Sequence, residues 1–214
     1  MCKFTVEGLT PNRHQVRGRE IRLYRYLSGK IVVAFLLGLA SLAGAEPTIM
    51  LNYDYYDIEG RTAAELRQQM NSKGVVWTNG NVYDAFTDWD VRWSYRYRLT
   101  DGACSIKSVT TTLNLVFRLP RWINYAGASA ALKKKWDGYM QSLRQHEMGH
   151  KDFGIKAAME IERSIAELEP AVTCDDLAES ANDLGRRIIS EYAAKEREYD
   201  AQTNFGETQG AVFP

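Results

Sequence analysis

Net charge is the first thing this sequence does without. Its 27 lysines and arginines are matched by 27 aspartates and glutamates, so no basic surface points to a nucleic-acid partner. Histidine is scarce, with three in 214 residues, which makes any two at ligand spacing informative. No internal repeat or low-complexity linker divides the chain. A long apolar run is missing too. Ile31 to Ala43 is uninterrupted but shorter than the ~20 residues a membrane-spanning helix requires.

That run has a different meaning. Arg17, Arg19, Arg22, Arg25 and Lys30 precede it, and Ala43-Gly44-Ala45 follows it. A basic flank, a short apolar stretch and a small-residue exit describe a cleavable secretory signal with a long basic region. Residues 1–45 are therefore expected to leave, and residues 46–214 to form one domain in the periplasm or outside the cell, with no stable membrane anchor. Cysteine usage agrees. Cys2 falls in the signal, leaving Cys104 and Cys174 as an even pair for an oxidising compartment.

The remaining chain alternates between two periods. Thr48 to Tyr56, rich in β-branched and aromatic residues, predicts a first strand. Thr62 with Glu65 three residues on predicts the start of a short helix, and Thr78-Asn79-Gly80-Asn81 a turn. Trp89, Val91, Trp93, Tyr95, Tyr97 and Leu99 share one face of the next strand, with charged and polar residues between them. Such a stripe reads as core rather than as a carbohydrate platform. Asp101-Gly102 turns the chain, and a return strand over Val109 to Leu119 stops at Pro120. Leu132, Trp136, Tyr139, Met140, Leu143, His146, His150, Phe153, Ala157, Ile161, Ile165 and Leu168 then recur at helical spacing. Thr173 caps a second helix with its stripe on Leu177, Ala181, Leu184, Ile188 and Tyr192. The expected fold class is α+β: a small antiparallel β-sheet and a short helix, packed on a long helix and a second helix antiparallel to it.

The long helix carries His146-Glu147-Met148-Gly149-His150. Residues four apart lie one turn apart on one side of a helix, so the two imidazoles can grip one metal ion. Zinc suits nitrogen ligands and an open fourth position. Glu147 then stands where a carboxylate can take a proton from water, the chemistry of HExxH zinc peptidases. A third protein ligand is required, and no third histidine remains after the signal. In an antiparallel hairpin turning near Ala171, the second helix passes the histidines at Glu191 to Asp200, a window holding Glu191, Tyr192, Glu196, Glu198, Tyr199 and Asp200.

Taken together, Tyr56-x-Ile58-x-Gly60, Trp89-x-Val91-x-Trp93, Cys104, Leu119-Pro120-x-Trp122, the HEMGH pentapeptide, Cys174 and Tyr199-Asp200-x-x-Thr203-x-Phe205-Gly206-x-x-Gln209-Gly210 resemble the DUF922 family of bacterial secreted proteins. The resemblance spans nearly all of residues 46–214 and implies a zinc-dependent protease acting on protein or peptide substrates. One position departs. The family commonly has histidine where this chain has Phe205, so a histidine ligand there would be lost. Asp200 is the expected third zinc ligand and Tyr199 the expected stabiliser of a tetrahedral oxyanion. A non-catalytic, exported metal-binding protein with a vestigial site, and cleavage of a non-peptide amide such as cell-wall material, stand as alternatives.

Overall fold

The computed structural model describes residues 46–77 and 80–213. The expected signal segment and the Thr78-Asn79 half of the expected turn lie outside the described residues. Element order is β1 (Thr48–Ile58), α1 (Ala63–Lys73), β2 (Val75–Val76), β3 (Val82–Tyr83), β4 (Phe86–Thr100), β5 (Ala103–Trp122), α2 (Ala130–Ala166) and α3 (Cys174–Thr203). Short 3-10 turns occupy Tyr125–Gly127 and Glu207–Gln209. The architecture is α+β.

Local chemistry explains the element ends. Thr62, Ser129 and Thr173 cap α1, α2 and α3, each side chain accepting from a backbone N–H three residues on, as orphan donors of a first turn require. Asp101 and Gly102, at φ of 52° and 79°, make the tight turn between β4 and β5.

The larger sheet has the order β1-β5-β4. β4 and β5 form the expected antiparallel hairpin, but β1 lies parallel to β5, from Thr48 beside Thr112 to Ile58 beside Trp122. The expected all-antiparallel sheet is thus a mixed one. Some thirty residues including α1 separate β1 from the hairpin, long enough for the crossover that a parallel neighbour needs. Nor does Pro120 end β5, which runs on to Trp122. The β4 ladder ends at Arg118, so one side of β5 is open at Pro120, where a missing N–H is tolerated.

Two apolar cores lie along α2. Trp89, Val91, Leu113 and Leu115 meet Ala157, Ala158, Ile161 and Ile165 of α2 and Ala181 and Ile188 of α3. Ile58, Leu66, Phe117 and Trp122 meet Trp136, Tyr139 and Leu143 further up α2, with Phe213 of the tail. The pentapeptide 146–150 falls between them. The aromatic stripe of β4 is buried through Trp93, but Leu99 near the hairpin tip is 64% exposed. The tip is tied down by a Cys104–Cys174 disulfide and by paired backbone bonds between Cys104 and Ala171. The disulfide closes a 70-residue separation, which constrains the unfolded chain by about 4 kcal/mol in the chain-entropy model. It is compatible with an exported protein. Among the described residues no helix is long and apolar enough to cross a membrane.

Candidate metal centre

His146 and His150 are 4% and 7% exposed on the inner face of α2, with Glu147, at 4%, between them. Their Nε2 atoms lie 3.3 Å apart. Asp200, near the end of α3, brings Oδ1 to 3.4 Å from His146 Nε2 and 3.0 Å from His150 Nε2. Among the described residues this is the group of His, Cys, Asp and Glu side chains able to hold a metal ion. Donors bound at about 2.0–2.1 Å around a tetrahedral zinc stand about 3.3–3.4 Å from one another. The observed triangle has nearly those edges, so the donor set fits a small divalent cation in both chemistry and spacing.

The outer nitrogens are equally well provided for. His150 Nδ1 lies 3.2 Å from Glu196 Oε1, which also accepts the Trp89 indole N–H at 2.6 Å. His146 Nδ1 lies 3.0 Å from Gln209 Oε1. An acceptor at each Nδ1 keeps the proton there and leaves the Nε2 lone pair for a metal. Glu196→Ala should therefore weaken zinc binding by about 10–100-fold, read by competition against a chromogenic chelator. An unchanged affinity would show that Glu196 is only a buried partner of Trp89.

Electrostatics follow the geometry. Burial disfavours the His150 cation, but the hydrogen bonds to Asp200 and Glu196 and the Glu147 charge outweigh it, raising its pKa to about 9 in the metal-free protein. Burial also opposes ionisation of Asp200, yet its bonds to the two histidines hold the carboxyl well below the usual carboxylate range. For Glu147 burial wins, and its pKa is raised despite His150, Thr87 and His146. Thr87 of β4 donates its hydroxyl to Glu147 Oε2 at 2.6 Å.

Of the residues expected from sequence, His146, Glu147, His150 and Asp200 line one cleft of about 690 Å³, walled by Trp77, Tyr83, Phe86, Phe205 and Phe213. Tyr199 does not line it. Its ring stacks on His146 at 5.0 Å, and its hydroxyl donates to the His146 carbonyl. Gly149 permits this approach, since a Cβ there would collide with the Tyr199 ring. Tyr199 thus packs against His146 rather than facing the cleft. Within the helix window, Glu196 serves His150 from behind, whereas Glu191 and Glu198 are exposed. Tyr192 bonds Glu160 instead.

Phe205 stands outside the donor triangle. It is 51% exposed and its ring lies 5.5 Å from that of Tyr83. Asn204, Phe205 and Gly206 have φ of 48°, 52° and 87°. This left-handed turn, strained at a bulky residue, folds the tail back so that Gln209 reaches His146. Glu196, Gln209 and Thr87 were missed as partners. Glu196 was at least inside the window, and Gln209 inside the tail motif, but Thr87 carried no signal.

Fold and site together define an α+β protein with a buried His-His-Asp cluster between two antiparallel helices. Residues 53–207 match the family described as Bacterial protein of unknown function (DUF922), and the chain belongs to that family. No curated protein and no solved structure matches it.

Proposed function

We propose that the protein is an exported zinc metallopeptidase. The observation that carries this reading is the near-tetrahedral spacing of His146 Nε2, His150 Nε2 and Asp200 Oδ1, with a buried glutamate beside them in the same cleft. Bound there, zinc supplies Lewis acidity, lowering the pKa of water and polarising a carbonyl. His146, His150 and Asp200 hold the ion. Glu196 and Gln209 fix the two imidazoles. Glu147 Oε2 is occupied by Thr87, so Oε1 accepts the proton of the attacking water and later delivers it to the departing amine. In the metal-free protein burial raises the pKa of this carboxylate, and the charge of a bound zinc would favour its ionised, basic form. The products are a carboxylate and an amine, and water is the only co-reactant.

The cleft suits a peptide better than a small polar substrate. Its wall of Trp77, Tyr83, Phe86 and Phe205 offers a seat for an apolar side chain. Phe205, the support for a vestigial site, leaves the donor triangle complete. The test is incubation of the zinc-loaded protein with mixed peptide libraries, read by mass spectrometry. Cleavage that is lost with chelator and restored by zinc is expected. Stoichiometric zinc without any cleavage would sink the reading.

A further inference from the structure

We propose that β1 is a self-association edge, at which two copies of the protein pair their β1 strands antiparallel about Asn52. β1 ends the three-stranded sheet, with β5 on one side and no strand on the other among the described residues. Its far side therefore offers backbone donors and acceptors from Thr48 to Tyr55, beyond which Asp57 O accepts from Lys73 Nζ. Proteins protect such edges with lysine, proline, bulges or charge. β1 has no Lys, Arg, Pro or Gly, and its register with β5 is unbroken. The opposite edge is different: β4 carries Asp88, Asp90, Arg92, Arg96 and Arg98.

Beside Thr48, Asn52, Asp54 and Asp57, the exposed side chains include five large apolar ones. Ile49, Met50, Leu51, Tyr53 and Tyr55 are 47%, 52%, 46%, 53% and 41% exposed. Their register partners Leu113, Leu115, Phe117 and Leu119 on β5 are buried beneath the helices, so Ile49, Leu51, Tyr53 and Tyr55 extend the core face of the sheet into solvent.

The pattern identifies the occupant as a second copy. A two-fold interface needs a self-complementary surface. Antiparallel pairing centred on Asn52 sets Ile49 opposite Tyr55 of the other copy and Leu51 opposite its Tyr53, all on one face. Aromatic–aliphatic pairs of this kind stabilise antiparallel strands. No like charges meet. Asp54 would face Met50 and is already paired with Arg118, and Asp57 lies beyond the overlap, paired with Arg121. Five large side chains at half exposure, roughly 200 Å² each when whole, offer on the order of 1,000 Å² for two copies, the lower bound of specific interfaces. An interface of that size suits a weak, reversible dimer.

Sedimentation of the purified protein from about 1 to 200 µM should show monomer passing to dimer. Leu51→Lys should raise the dissociation constant at least tenfold, with an unchanged melting temperature at dilutions where both proteins are monomeric, while Leu99→Lys at the hairpin tip should leave the dissociation constant unaltered. With Cys2 replaced by serine, Asn52→Cys should give an oxidised covalent dimer and Thr48→Cys should not. A protein that stays monomeric throughout, or a dimer indifferent to Leu51→Lys and not cross-linked through position 52, would overturn the proposal.

Discussion

Glu147→Gln should lower peptide hydrolysis by about 10³-fold, within the usual range for a lost general base, while zinc remains stoichiometric. Glutamine has the shape of glutamate, and its carbonyl oxygen can still accept the Thr87 hydroxyl that now binds Oε2. What it lacks is a basic oxygen. The substitution also relieves a buried carboxylate, so the folded state should be no less stable. Zinc content, melting temperature and kcat measured on one preparation separate these effects. A rate within about threefold of wild type would assign the base elsewhere. Loss of zinc would mean that Glu147 is tied to the metal site in another way.

Zinc should raise the melting temperature by about 10 °C. A ligand at a thousandfold excess over its dissociation constant stabilises the native state by about 4 kcal/mol, and each kcal/mol is worth about 2–4 °C in a domain of this size. The metal-free protein should in turn depend on pH. The folded-state pKa of His150 is raised from 6.5 to about 9. Its contribution is therefore fully present below about pH 6.5 and is lost as pH rises through 9. Asp200 is shifted the other way. Its contribution is present above the unfolded carboxylate range and is lost as pH falls below it. Glu147, raised by burial, costs stability once pH exceeds the unfolded carboxylate range. Metal-free protein should thus be most stable just above that range, near about pH 4–5, and weaken toward pH 9. Zinc should reverse that trend, because its ligands bind deprotonated. Melting curves from pH 5 to 9 with and without zinc test both signs. Parallel profiles would exclude His146, His150 and Asp200 as the binding site.

Short-range features were readable where local chemistry dictates them. The His146–His150 pair sits on one helix face because a helix turns in 3.6 residues. Thr62 and Thr173 cap helices because their hydroxyls satisfy orphan N–H groups. The helix hairpin narrowed the third ligand to a ten-residue window, although its register was off by one turn. Residues equidistant from Ala171 would set Tyr192 beside His150, whereas Glu196 is there. The observed pairs, His150 with Glu196 and His146 with Asp200, are centred on Thr173 rather than Ala171.

The donor pair on α2, its glutamate, the two-helix frame and the even cysteine pair were determined by the sequence alone, since each depends on spacing along one element or on composition. The tertiary structure decided the rest. It set β1 parallel to β5, carried Asp200 to the two Nε2 atoms, and gave each Nδ1 its own acceptor. It also turned Tyr199 from the cleft to the back of His146. Those outcomes depend on how α2, α3, the sheet and the folded-back tail pack against one another, and no periodicity within a single element encodes that packing. HEMGH therefore supplies two of the donors in the sequence, but the group able to hold a metal is complete only once α3 brings Asp200, and Gln209 reaches His146.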